Sequence, residues 1–181
     1  MFLVPFSLLL TRCSDRVSGI QFNELPPDVT NVLFSNNIQE SDSLDYYSFP
    51  YIYMGGGVAI GDVDNDGLSD VFFTGNMVKN KDISVGSGVE GDGRWYTGAT
   101  MVDINLDGWL DIYVCVSGKG KTKNQLFINN GDLTFSEMAE AYGIDDVSTS
   151  IQSTFFDYDN DGDLDLFVGN YPIIPISLGN E

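Results

Sequence analysis

A nine-residue acidic pattern recurs three times in the chain, each copy set between short runs of strand-forming residues: Asp62-Val63-Asp64-Asn65-Asp66-Gly67-Leu68-Ser69-Asp70, Asp103-Ile104-Asn105-Leu106-Asp107-Gly108-Trp109-Leu110-Asp111 and Asp157-Tyr158-Asp159-Asn160-Asp161-Gly162-Asp163-Leu164-Asp165. Side-chain oxygens at positions one, three, five and nine, together with the backbone carbonyl of position seven, suit a hard cation. Calcium takes six to eight such ligands at about 2.3–2.6 Å. The glycine at position six lets the chain turn sharply enough to bring the oxygens together. The pattern therefore predicts a calcium loop, used three times.

The charge balance points the same way. The chain has 27 acidic residues against 8 basic ones, a formal net charge of −19. A field of that sign repels nucleic acid and anionic membrane surfaces, so no nucleic-acid partner is expected. Twelve of the acids fall inside the three loops, where crowded carboxylates repel unless a cation sits among them. The 43% hydrophobic content, with 12 Phe and 9 Tyr, is rich enough for a packed core, so the acidity does not signal a disordered tail.

There is no histidine. That removes the commonest general base, the serine-type triad and most catalytic zinc arrangements, and leaves carboxylates as the only acid–base groups for hydrolytic chemistry. Cys13 and Cys115 show no metal-ligand spacing, and Cys115 reads as a buried strand residue. The apolar run over residues 1–10 is too short to span a bilayer as a helix but has the length of a secretion-signal core. We accordingly assign 1–15 as a signal, with Cys13 as the candidate acceptor of a lipid anchor. Arg12 departs from the small residue that a lipoprotein signal places there. No transmembrane span is expected, and the predicted location is extracellular or at the cell surface, as an outer-membrane lipoprotein if Cys13 is lipidated.

Each loop is entered by a small or polar residue and a strand pattern (Gly57 to Ile60, Gly98 to Met101, Gln152 to Phe155) and left by another (Val71 to Phe73, Ile112 to Val116, Leu166 to Val168). β-Branched and aromatic residues on both sides predict antiparallel hairpins with the metal loop at the turn. After the second loop, Gln125 to Asn129 and Phe135 flank an Asn-Gly-Asp turn, predicting an outer hairpin and a four-stranded unit. A short helical turn is expected over 137–141, before Gly143. Loop starts are 41 and 54 residues apart, a propeller-blade repeat in which the first unit lacks its outer hairpin. The fold expected is all-β, a partial β-propeller of about three blades. Residues 16–51, with Pro26-Pro27 and many Asn and Ser, read as an irregular approach segment, and 52–181 as the repeat region. Because closed propellers use four to eight blades, three copies predict a piece of a longer chain or an open array.

Other signals are weaker. An EF-hand needs a glutamate at position twelve and flanking helices, whereas Phe73, Val114 and Val168 stand there. A dockerin module likewise continues into a helix. Gly86, Gly88 and Gly91 mimic a dinucleotide fingerprint, but Asp92-Gly93-Arg94-Trp95 does not open a helix, so a flexible connector is expected. Gly120-Lys121-Thr122 copies the tail of a phosphate loop without its first glycine. Lys119, Lys121 and Lys123 read as a solvated loop or a contact for an anionic partner. Trp95, Tyr96 and Trp109 read as packing residues rather than sugar-stacking platforms.

The loops and their strands, with Gly57 to Asn76 and Leu126 to Phe135, resemble the FG-GAP or VCBS repeat of integrin alpha-chain propellers and exported bacterial proteins. They look most like the bacterial branch related to cartilage acidic protein, often joined to an ASPIC and UnbV domain. The resemblance covers roughly residues 52–170. It implies a calcium-stabilised β-propeller used in adhesion or recognition of glycans or proteins. Its ligands would be Asp62, Asp64, Asp66, Asp70 and the Leu68 carbonyl; Asp103, Asn105, Asp107, Asp111 and the Trp109 carbonyl; and Asp157, Asp159, Asp161, Asp165 and the Asp163 carbonyl, for about three calcium ions. A non-enzymatic role is expected. The alternative is a propeller scaffold for a secreted polysaccharide-degrading enzyme, for which Asp145, Asp146 and Glu90 are spare carboxylates without an assignable pair.

Overall fold

The computed structural model describes residues 23–77, 85–118, 120 and 122–172. The predicted signal at 1–15, with Cys13, lies outside the described residues, as do Lys119 and Lys121. Two compact units divide between Leu33 and Phe34. The first contains a one-turn helix, α1 (Pro27–Thr30), with proline at its start and Asn31 in the left-handed conformation (φ 55°) at its end.

Among the described residues the second unit is all-β apart from one helical turn, with eight strands in three antiparallel sheets. Strands β1 (Val58–Gly61) and β2 (Asp70–Phe73) form a two-stranded sheet around the first acidic loop. The second acidic loop joins β3 (Trp95–Val102) to β4 (Asp111–Ser117), and β5 (Gln125–Asn129) and β6 (Phe135–Glu137) complete a four-stranded sheet in the order β3-β4-β5-β6. A second helical turn, α2 (Ala139–Tyr142), ends on Gly143 at φ 70°. Strands β7 (Ser150–Phe156) and β8 (Asp165–Asn170) form the third sheet around the third loop. The expected hairpins, the outer hairpin after the second loop and the helical turn are all present.

Strand β4 is buried along its whole length because both faces of its sheet are covered. Ile112, Val114, Val116 and Phe127 form one core with Tyr96 and Val89, onto which Phe72 and Met101 pack. Tyr113, Cys115, Leu126 and Ala139 form the other, onto which Phe155, Leu166 and Val168 pack from the third sheet. Fully burying aliphatic or aromatic side chains contributes about 1.5–3 kcal/mol each, so this central sheet holds the unit together. The outward faces of the flanking hairpins remain exposed at Val58, Ile60 and Val71 on one side and at Phe156 and Phe167 on the other.

Two glycines explain how the hairpins converge. A Cβ at Gly57 would stand 2.4 Å from the Thr97 carbonyl oxygen, and one at Gly98 2.5 Å from that of Ile151. The inner strands therefore approach backbone to backbone at these positions, where no side chain fits. Thr97 Oγ1 donates to the Ser150 carbonyl at 2.8 Å and Thr100 Oγ1 to that of Ser153 at 2.9 Å, tying β3 to β7.

Within the segment expected to be an irregular approach, several side chains from Phe34 onward pack. Phe34 stacks on Phe73 with ring centres 4.9 Å apart, Phe49 meets Trp95 edge-on, Ile52 is fully buried and Tyr51 stacks on Tyr171. Its prolines and polar residues suppress regular structure, while its few aromatics still find partners. The glycine-rich connector opens no helix. The Ser87 carbonyl accepts the Phe135 N–H at 2.6 Å, so this loop is docked on β6 where a flexible connector was expected.

Candidate metal centre

The three acidic loops share one hydrogen-bond frame. In each, the position-one carboxylate accepts the N–H of position five (Asp62 from Asp66, 3.1 Å; Asp103 from Asp107, 3.0 Å; Asp157 from Asp161, 3.2 Å). Its second oxygen accepts the glycine N–H at position six, at 2.8, 2.9 and 3.2 Å. The side chain of position three (Asp64, Asn105, Asp159) also accepts the position-five N–H. Position five (Asp66, Asp107, Asp161) accepts the N–H of Leu68, Trp109 and Asp163 at 2.8, 2.9 and 3.1 Å. Position nine accepts the N–H of position two: Asp70 from Val63, Asp111 from Ile104, Asp165 from Tyr158. Short acidic side chains that bond to backbone a few residues away hold the loop open at its turn.

The backbone follows. Position four is left-handed in every copy (Asn65 φ 58°, Leu106 φ 58°, Asn160 φ 62°), and so is the glycine at position six (Gly67 87°, Gly108 89°, Gly162 94°). Asn tolerates that region; leucine rarely enters it.

This frame turns oxygens inward. Asp62, Asp64 and Asp70 each offer an oxygen within 4.8 Å of the others, and so do Asp157, Asp159 and Asp165. Two ligands on opposite sides of an ion at about 2.4 Å each are about 4.8 Å apart, so one cation can touch all three. The second loop carries an amide, Asn105, at position three and has no such group of three carboxylates. The position-five aspartates Asp66 and Asp161 are not members of these two groups of three. Among the described residues nothing donates a hydrogen bond to the carbonyl oxygens of Leu68, Trp109 or Asp163.

The electrostatics favour a cation. Among the described residues no lysine or arginine pairs with a loop carboxylate; Arg94 pairs with Asp92, and Lys123 with Asp145 and Glu140. The expected lysine contact for an anionic partner is thus already engaged with acids at Lys123. Asp111 is fully buried, and burial pushes its carboxyl up, aided by the charges of Asp107 and Asp103 and opposed by the N–H groups of Asn129 and Ile104. Its hydrogen bond with Asp161 raises the Asp163 carboxyl. A hard divalent ion fits such an all-oxygen, net-negative donor set.

Residues 103–168 match the FG-GAP-like repeat family. The match runs from position one of the second loop to Val168 in β8, taking in the outer hairpin and the third loop. No curated protein matches the chain. The first loop lies outside the FG-GAP-like stretch, yet it repeats the same hydrogen bonds and the same two left-handed positions, so it is similar to the other two in geometry. Sequence reasoning missed the bridging role of two asparagines, Asn65 within the first loop and Asn129 at the end of β5. Both sit in turn-forming strings, where asparagine is expected for conformational reasons alone.

Proposed function

We propose that this chain is a calcium-binding β-propeller repeat segment of an exported or cell-surface protein, non-enzymatic, serving adhesion or recognition of a glycan or protein. The observation that supports it most is the hydrogen-bond frame common to the three loops, in two of which oxygens from positions one, three and nine lie within 4.8 Å of one another. Asp62, Asp64 and Asp70 would hold one ion, Asp103, Asn105 and Asp111 a second, and Asp157, Asp159 and Asp165 a third. Asp66, Asp107 and Asp161 and the carbonyls of Leu68, Trp109 and Asp163 would complete the shells.

A bound divalent ion supplies positive charge that relieves carboxylate repulsion at the turn of each hairpin. The chain's own residues do the rest: four backbone N–H groups fix the side-chain oxygens of each loop, and the strands fix the loop. Such an ion stabilises the folded state by mass action, by about 2.7 kcal/mol at a concentration one hundred times its Kd. Weak extracellular modules bind calcium at about 10⁻⁴ to 10⁻³ M, which suits the location assigned here. Calorimetric titration of chelator-treated protein with calcium is expected to show binding heat, and the melting temperature to rise by several degrees at millimolar calcium. Absence of both would remove the metal half of this reading.

A further inference from the structure

The first and second acidic loops are joined through a single buried side chain. Asn129 closes β5 and is 3% exposed. Its Nδ2 donates to the Val63 carbonyl of the first loop at 2.8 Å and to the Leu110 carbonyl of the second at 3.1 Å. Its backbone N–H donates to Asp111 Oδ1 at 2.8 Å, and its Oδ1 accepts the Gly131 N–H at 2.9 Å. Val63 in turn gives its own N–H to Asp70 Oδ2 at 3.0 Å. A continuous hydrogen-bonded chain thus runs from the position-nine carboxylate of one loop to that of the next: Asp70, Val63, Asn129, Asp111. Val63 is 8% exposed and Asp111 fully buried, so water does not compete along it. A second bridge crosses at the surface, where Asn65 Nδ2 donates to the Gly108 carbonyl at 3.1 Å. Among the described residues no hydrogen bond joins the second loop to the third.

We infer that Asn129 is a positioning residue that couples the first two cation sites, so that filling one raises the affinity of the other while the third binds independently. The inference rests on the calcium reading given above. Asp70 and Asp111 each belong to the donor set of one site, and each is oriented by a peptide or amide group that Asn129 holds. Ordering Asp70 around an ion fixes Val63, hence the Asn129 amide, hence Asp111, so the second ion meets a site whose ordering is already complete. Both loops carry at least three aspartates and stay net negative with one divalent ion in place, so repulsion between ions does not cancel the gain.

The test uses the full chain with loops disabled in pairs or singly by Asp→Asn at positions one and five: Asp62→Asn with Asp66→Asn, Asp103→Asn with Asp107→Asn, and Asp157→Asn with Asp161→Asn. Calcium Kd values are read by calorimetry. With the third loop disabled, the remaining two sites are expected to bind about five- to tenfold more tightly than each does alone. With the second disabled, the first and third are expected to bind within twofold of their isolated values. Asn129→Ala, which changes no charge, is expected to abolish the advantage of the first pair and leave the third site unchanged. Because the coupling runs through hydrogen bonds, it should survive a rise in salt that screens charge between loops. Calcium binding with all sites indifferent to their neighbours would overturn the coupling and spare the calcium reading. No binding at any loop would overturn both. Should Asn129→Ala fail to fold, the comparison of the two loop pairs still decides.

Discussion

Leu106 stands at position four of the second loop with φ 58°, where the other two loops place asparagine. A left-handed backbone crowds the Cβ of an ordinary L-residue and costs about 1–2 kcal/mol, whereas asparagine relieves part of that cost by bonding locally. The side chain is 78% exposed, so little packing compensates. Leu106→Asn is therefore expected to stabilise the protein by about 1 kcal/mol, read as a shift in the urea midpoint at fixed calcium; an unchanged or lower midpoint would contradict the strain argument. The aspartate spacing made the loops visible as residues, and it also suggested that position five belongs to the inner shell. In the structure Asp66, Asp107 and Asp161 also brace the turn by accepting the position-seven N–H. Spacing names the oxygens but not which N–H claims each one first.

At the level of elements, the strands were legible because β-branched and aromatic residues flank each loop, and the outer hairpin because Asn-Gly-Asp interrupts two such runs. What was not legible was why Gly57 stands just before β1 and Gly98 within β3. Both prove to be contact points where one inner strand meets the next backbone to backbone. Gly98→Ala would drive a methyl group into the Ile151 carbonyl and the Gln152 side chain. It is expected to cost about 1–3 kcal/mol by overpacking, visible as a lower melting temperature. Gly108→Ala meets nothing within 4 Å and would act through its φ of 89° alone. A smaller loss in Gly98→Ala than in Gly108→Ala would sink the idea of a close inner approach.

For the molecule as a whole, the central four-stranded sheet buries, besides Asp111, three ionisable groups whose neutral forms the fold prefers. Burial pushes Cys115 up to about 11, from an ordinary 9.0, and Tyr96 and Tyr113 up to about 12, from 10.0. A folded-state pKa above the unfolded one contributes stability that is complete below the unfolded value and lost as pH rises toward the folded one. Stability is thus expected to fall from about pH 9, first through Cys115 and then through both tyrosines, with most of the loss between pH 10 and 12. Thermal melts across that range check it, and Cys115→Ala should postpone the onset while lowering stability at neutral pH. Stability flat to pH 12 would mean that these groups reach solvent.

From sequence alone came the hairpins and the three acidic loops, because strand period, glycine placement and aspartate spacing are local properties. Among the described residues no helix is long and apolar enough to cross a membrane, in line with the reading of the chain. Only the tertiary structure decided which oxygens of the first and third loops converge, that Phe34, Phe49 and Ile52 pack, and that Asn129 reaches from one loop to the next. Val63 and Asn129 lie 66 residues apart, and a hydrogen bond across that distance depends on how sheets pack, which no local pattern encodes.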